Sequence, residues 1–327
     1  MPLTRDLADS VVVITGGSGG IGAATALRLA RRGAAVVVGA RRPGATAEVV
    51  SACRAEGGRA LGVPVDVTEP AAVEALAQRA VEEFGRLDAW VNNASVAAYG
   101  TFTDQPIDEF RRVIETDLLG VAYGTRTAIT HLRATGGGVI VNVSSVLGEV
   151  TVPYLSGYTT AKHGVRALSG AVRQELQLAG DREISVCVLL PASIGTPLYR
   201  NAANHTGVRV GPLPPVYAPE VVARRIVRLL EHPRREAHAG GVGALLARQW
   251  RLAPGLHERV MAVYADRTTF RGEPAAPTSG TVFAPADDPS AVDGGWHHRR
   301  WTAARLAALG VAGAGFALAG LRRARRS

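Results

Sequence analysis

A single lysine, Lys162, stands among the 37 Lys and Arg residues of this chain, and it follows Tyr158 by four positions. That spacing puts a phenol and an ammonium on neighbouring turns of one helix face. Where every other side-chain cation is Arg, a retained Lys points to a site that needs a compact charge with rotatable donors, which a planar guanidinium does not supply. A second chemical signal is Gly16-Gly17-Ser18-Gly19-Gly20-Ile21-Gly22, set between an apolar run and a helical pattern. Residues without Cβ atoms turn tightly and let a pyrophosphate reach the opening of a helix, where free N–H groups and the dipole favour an anion. Gly16, Ser18, Gly20, Ile21 and Gly22 are therefore expected to cradle a dinucleotide. At the end of the next apolar run, where a carboxylate would accept from a ribose 2′-hydroxyl, the chain has Arg41 and Arg42. Guanidinium groups there suit a 2′-phosphate, so NADP(H) is expected over NAD(H); the competing reading is a pair of solvated arginines in an Arg-rich protein. Asp66 and Val67, closing a third run, are expected at the adenine edge, with Asn93 and Ala94 beside the cofactor.

The elements that must hold these groups alternate along the chain. Apolar, β-branched runs at 11–15, 35–40, 60–65, 87–91, 139–143 and 184–190 read as strands. Helical patterns lie between them: from the glycine segment to residue 32, at 45–56, at 70–84 behind a proline, at about 107–132, and around Tyr158. Near-continuous apolar strands separated by amphipathic helices imply a parallel sheet covered on both faces, hence a doubly wound α/β fold of Rossmann type. Ligands are then expected beyond the carboxyl ends of the strands. Residues 196–219, rich in Pro, Gly and Asn, read as a long loop of the kind used as a lid. A helix at 219–231 and a strand at 236–239 close a catalytic domain at 1–240. Residues 241–270 form a helical extension, 271–301 a linker of Pro, Ala, Gly, Asp and Ser, and 302–327 a basic-flanked apolar tail helix.

Taken jointly, Gly16, Gly20 and Gly22 in a TGxxxGxG arrangement, the Asn92-Asn93-Ala94 run, Ser145 thirteen residues before Tyr158, the Tyr158/Lys162 pair and the segment 191–196 resemble the short-chain dehydrogenase/reductase family. The resemblance covers roughly residues 8–240. It implies that Tyr158 is the general acid in carbonyl reduction or the base in alcohol oxidation. An unperturbed phenol, with a pKa of about 10, is a poor base at neutral pH, and Lys162 is expected to correct this by stabilising phenolate. The family's lysine also holds the nicotinamide ribose, its serine (here Ser145 and not Ser144) orients the substrate oxygen, and the nicotinamide carries the hydride. Pro191, Ile194 and Thr196 join the expected cofactor contacts. Asp117 departs from the pattern, because the family carries Asn there to hold a water near the lysine; a carboxylate would favour protonated lysine and oppose phenolate formation. Ser95, where glycine is usual, is a smaller departure, expected to be harmless. The family also implies a homo-oligomer.

Composition sets the remaining bounds. Apolar content of 47% and charged content of 20% describe a globular chain. Two cysteines give no disulfide framework, so a cytoplasmic location is the default, and the eight histidines show no metal-ligand spacing. Seven of the nine net positive charges are arginines after Trp296, leaving a body of +2 that does not suit nucleic acid. Residues 306–321 carry no charge and would extend roughly 24 Å as a helix, short of a hydrocarbon core of roughly 30 Å. Membrane association through flanking arginines and docking on the body or a partner both remain open. The substrate expected is a small carbonyl or alcohol, apolar or lipid-like, since Val146, Leu147, Val150, Val152, Leu155 and Leu198 would wall its pocket. The rivals are an NADP(H)-binding sensor without turnover and a membrane-tethered scaffold.

Overall fold

Period-two burial organises the molecule. In the computed structural model, which describes residues 3–269, 272–285 and 289–296, strand β1 (Val11–Thr15) sends Val12 and Ile14 to one face of the sheet and Val11 and Val13 to the other. The other strands are β2 (Ala35–Ala40), β3 (Arg59–Pro64), β4 (Ala89–Asn92), β5 (Ala98–Tyr99), β6 (Gly138–Val143), β7 (Ile184–Pro191), β8 (Ala203–Asn204) and β9 (Glu236–Ala239). Seven of them form one parallel sheet in the order β3-β2-β1-β4-β6-β7-β9, and β5 pairs with β8 separately. The winding reverses between β1 and β4, so the loops after these strands open a crevice at their carboxyl ends.

Ten helices cover this frame among the described residues: α1 (Gly20–Ala30), α2 (Pro43–Ala55), α3 (Pro70–Phe84), α4 (Ile107–Ile114), α5 (Gly120–Ala134), α6 (Ser156–Ala179), α7 (Leu198–Asn201), α8 (Pro219–Glu231), α9 (Gly241–Leu252) and α10 (Pro254–Thr269). Ala26 and Leu29 of α1, Val49 of α2 and Ile226 of α8 pack with Val12, Ile14, Val36 and Val38 on one face. Leu76 of α3, Leu132 of α5 and Leu176 of α6 pack with Val13, Val37, Trp90 and Ile140 on the other. Each of the Val, Leu and Ile side chains among them contributes about 1.5–3 kcal/mol when fully buried. Both faces are thereby dry at the centre of the sheet, which is why β1, β2 and β4 carry no polar alternation, whereas the edge strand β9, Glu-Ala-His-Ala, does.

A buried polar chain crosses the middle of the sheet. Asn92 Nδ2 donates to Asn142 Oδ1 at 2.8 Å, Asn142 Nδ2 to Ser169 Oγ at 2.9 Å, and Trp90 Nε1 to Asn92 Oδ1 at 2.6 Å. This buried chain fixes β4 against β6 and α6 just behind the crevice. Burial pushes the Cys53 and Cys187 thiols up to about 11, so neither is a reactive thiolate.

The stretch expected as a linker is fixed to the body along its described part: Asn204 N donates to Thr278 O at 2.7 Å, and Gly294 N to Gly195 O at 2.8 Å. Among the described residues no helix is long and apolar enough to cross a membrane. The tail expected at 302–327 lies outside the described residues.

Candidate active site

Tyr158 and Lys162 occupy the first two turns of α6, and Ser145 sits in the turn between β6 and that helix. Ser144 and Ser145 take different roles because they face opposite ways. Ser144 Oγ donates to the Lys162 carbonyl at 2.8 Å and ties the strand end to α6. Ser145 instead caps the short 3₁₀ turn Val146–Gly148, where its Oγ accepts from Leu147 N at 3.1 Å, and its hydroxyl is within hydrogen-bond reach of the Tyr158 phenol. The sequence separation that singled out Ser145 therefore has a structural cause.

Lys162 is only 2% exposed. Its Nζ lies 3.1 Å from Asp117 Oδ2, donates to the Val143 carbonyl at 3.3 Å, and stands 5.3 Å from the centroid of the Tyr158 ring. Asp117 is fully buried on a π-helical turn, Glu115–Leu119, between α4 and α5. Such turns are often found at functional sites, and this one brings the carboxylate in behind the lysine. Asp117 Oδ1 accepts from Val96 N at 2.8 Å, and Ser95 Oγ donates to Oδ2 in a short hydrogen bond. Burial pushes the Asp117 carboxyl up, against the pull of Lys162, Ser95 and Val96.

The phenol behaves differently from the sequence expectation. Tyr158 is held well above its ordinary pKa, first by burial and then by the negative charge of Asp117, while hydrogen bonds from Ser145 and Ser95 act to lower it. The spacing to Lys162 alone gives the expectation of an acidified phenol; burial first and the charge of Asp117 second move it the other way. Ser95, taken as harmless, is in fact wired to both Asp117 and Tyr158. Its only signal in the sequence is a hydroxyl where the pattern has glycine.

The glycine segment makes the turn that its residue types require. Gly16 has φ +65° and Gly20 φ +52°, and a Cβ on Gly22 would stand 2.3 Å from the Gly16 carbonyl oxygen. Asn93 clamps the loop from below: its Nδ2 donates to the Thr15 and Gly16 carbonyls, both at 3.1 Å. Asn93 N and Ala94 N donate to Thr15 Oγ1 at 3.1 and 3.3 Å. Asp66 binds Arg112 Nη2 at 2.5 Å and closes a turn with Thr68, and these bonds outweigh burial to hold its carboxyl below the usual range.

One cavity of about 840 Å³ joins these parts. Gly16, Ser18, Gly20, Ile21, Arg41, Arg42, Asp66, Val67, Asn93, Ala94, Pro191, Ile194 and Thr196 line it, as do Ser145, Tyr158 and Lys162. Gly22 and Asp117 do not; the first is packed against the loop and the second lies behind Lys162. Val146, Leu147, Val150, Val152, Leu155 and Leu198 also line it, together with Leu246, Met261 and Tyr264 from α9 and α10. The helical extension is thus a wall of the cavity, where sequence periodicity had shown only added helices. Tyr264 Oη donates to the Pro214 carbonyl at 2.9 Å and ties that wall to the loop after β8. A glycine turn at a helix opening and a hydroxyl pair at the far end of the cavity fit a nicotinamide dinucleotide.

The comparisons agree with this geometry. The family described as short chain dehydrogenase matches residues 10–207. Cis-4-hydroxycyclohexanecarboxylate dehydrogenase of Sinomonas cyclohexanicum is 41% identical over 244 residues, spanning 73% of this chain and 95% of that protein. The uncharacterized oxidoreductase YxnA of Bacillus subtilis is 34% identical over 259 residues, spanning 79% and 72% respectively. Among solved structures, an alcohol dehydrogenase of the archaeon Thermococcus sibiricus, complexed with 5-hydroxy-NADP, is similar at TM-score 0.62 and 27% identity, covering 70% of this chain and 95% of that one.

Proposed function

Because the chain belongs to the short-chain dehydrogenase/reductase family and is therefore an oxidoreductase of CH–OH substrates, we propose that it is NADP(H)-dependent and interconverts a secondary alcohol and its ketone on an apolar, ring-sized substrate. The observation that carries the reading is the single cavity running from the glycine turn and Arg41 to Ser145 and Tyr158. The apolar wall from residues 146–155 and from α9 and α10 favours a hydrocarbon ring over a polar sugar. Relatives named for cyclohexanol and for a 3β-hydroxysteroid, 35% and 37% identical, support the same class.

Gly16, Ser18 and Ile21 would hold the pyrophosphate, with Gly20, whose N–H donates to the Ala291 carbonyl at 2.9 Å, shaping the turn between them; Arg41 would hold the 2′-phosphate and Lys162 the nicotinamide ribose. The nicotinamide, when bound, supplies or takes the hydride at the carbinol carbon. Ser145 donates to the substrate oxygen and fixes it within reach of the phenol. In the reducing direction Tyr158 passes its proton to that oxygen as the carbonyl becomes an alcohol, and Lys162, 5.3 Å away, stabilises the phenolate left behind. The phenol is protonated at neutral pH and so carries the proton that reduction consumes, although its raised pKa makes it a weaker acid than a free tyrosine. Oxidation needs the phenolate and should require alkaline conditions.

A panel of cyclohexanones and 3-ketosteroids with NADPH and NADH, run beside Tyr158→Phe, tests the proposal. The expected result is turnover of at least one ring ketone with NADPH preferred, and a loss of about 10²–10⁴-fold in kcat for Tyr158→Phe. Undiminished turnover in Tyr158→Phe would remove the mechanism.

A further inference from the structure

Arg41 is held by main chain from 240 residues further along. Its Nη2 donates to the Thr281 carbonyl at 2.6 Å, and its Nη1 to the Phe283 and Val282 carbonyls at 3.1 and 3.4 Å. Three carbonyl oxygens orient a guanidinium without neutralising it, and among the described residues no carboxylate pairs with Arg41. The nearby Asp66 is committed to Arg112 at 2.5 Å. The charge thus stays available at the end of β2, in the wall of the cavity.

The turn that supplies these carbonyls is itself anchored. Thr278 and Asn204 exchange backbone hydrogen bonds at 2.7 and 3.0 Å, and Thr281 N donates to the Asn201 carbonyl at 2.7 Å. Val282 is fully buried among Val96, Ala98, Val113 and Ala203, against Tyr158. Gly280, at φ +50°, fits against the backbone so closely that a Cβ would lie 2.3 Å from the Asn201 oxygen.

We propose that the turn at 278–283 is a cofactor-specificity element: it positions the Arg41 guanidinium as a preformed seat for the 2′-phosphate. The inference rests on the NADP(H) reading of the same site. A guanidinium already fixed by three acceptors loses less freedom when a phosphate arrives, and its remaining N–H groups make charge-assisted hydrogen bonds. Residues 278–283 act through Arg41 and are positioning residues.

The test uses the full chain and two small probes measured by titration calorimetry, adenosine 2′,5′-bisphosphate and 5′-AMP, with the NADPH to NADH ratio of kcat/KM as a parallel readout. Arg41→Ala should weaken the bisphosphate by about 10- to 100-fold, the range of a lost charge-assisted bond, and leave 5′-AMP within about twofold. Gly280→Ala, which displaces the turn while Arg41 is intact, should reproduce at least about a fivefold part of that selective loss. If Arg41→Ala shows the loss and Gly280→Ala does not, or weakens both probes equally, the turn is only structural and the inference fails while the NADP(H) reading stands. If Arg41→Ala leaves the affinity for both probes unchanged, Arg41 is not the seat and the inference fails; if the wild-type chain itself binds the bisphosphate no better than 5′-AMP, the NADP(H) reading fails and takes the inference with it. Should Gly280→Ala lose cooperative thermal unfolding, Val282→Ala decides by the same criteria.

Discussion

Replacing Asp117 by Asn removes a buried negative charge from behind Lys162 and changes little else in shape. Coulomb's law at an effective dielectric of about 20 gives an ammonium 5.3 Å from the Tyr158 ring roughly 3 kcal/mol of attraction for phenolate. The carboxylate 3.1 Å from that ammonium lies at most about 8.4 Å from the ring and takes back at least roughly 2 kcal/mol. Asp117 therefore cancels most of what Lys162 provides, in line with its place among the causes that raise Tyr158. Without it the phenol should titrate about 1.5 pH units lower. The sign follows from the charges: a raised phenol pKa confines the base to alkaline solution, and removing the anion brings it back toward neutrality. The assay is the pH dependence of kcat/KM for alcohol oxidation with NADP⁺, in wild type and Asp117→Asn. The ascending limb should move down by about 1.5 units, which is about 30-fold in rate at a pH well below both limbs. A limb that stays within about 0.3 unit, or moves upward, refutes the reasoning. The variant should also unfold at lower temperature, because Lys162 exchanges a charged partner at 3.1 Å for at best a neutral amide oxygen beside the Val143 carbonyl, and its buried charge loses its counter-ion. That loss is read separately, by thermal unfolding.

Two further outcomes follow from the same geometry. Ser145→Ala removes the hydroxyl that faces the substrate oxygen and should lower kcat by about 10²–10³-fold, with the affinity for the dinucleotide, measured by fluorescence titration, nearly unchanged. Equal losses in both would mean that Ser145 serves the turn at Val146–Gly148 and not the chemistry. Gly22→Ala places a methyl 2.3 Å from the Gly16 oxygen and 2.8 Å from Asn93 Nδ2. It should cost about 1–3 kcal/mol in thermal or denaturant unfolding and weaken dinucleotide binding, and a variant as stable as wild type would contradict the packing described here.

Much of this was legible in the sequence, and the reason is locality. Strands β1, β2 and β7 are dry on both faces, so their runs of Val, Ile and Leu needed no partner to be recognised. Gly16, Gly20 and Gly22 answer to one turn, and Tyr158 and Lys162 to one helix face, so spacing within a few residues carried the information. Ser144 and Ser145 part ways in the structure, the first tied to α6 through the Lys162 carbonyl and the second capping the turn that follows β6.

What escaped reading depends on contacts whose partners are distant or are not side chains. The pair Tyr158 and Lys162 announces an acidified phenol only while Asp117 is out of view, and it is the π-helical turn at Glu115–Leu119 that carries Asp117 behind the ammonium. Ser95 gains its meaning from the same residue, 22 positions on. The segment after Thr269 is harder still, since the groups that bind Arg41 and Gly20 are the carbonyls of Thr281, Val282, Phe283 and Ala291, present in any sequence. Its Pro, Ala, Gly and Ser composition reads as a tether because such residues add few side-chain donors and acceptors. Those same small residues let the backbone approach closely, as Gly280 does at Asn201. A low-periodicity stretch beside a nucleotide fold is therefore ambiguous between a linker and a main-chain ligand, and isolated apolar residues such as Val282 and Val292 mark where it docks.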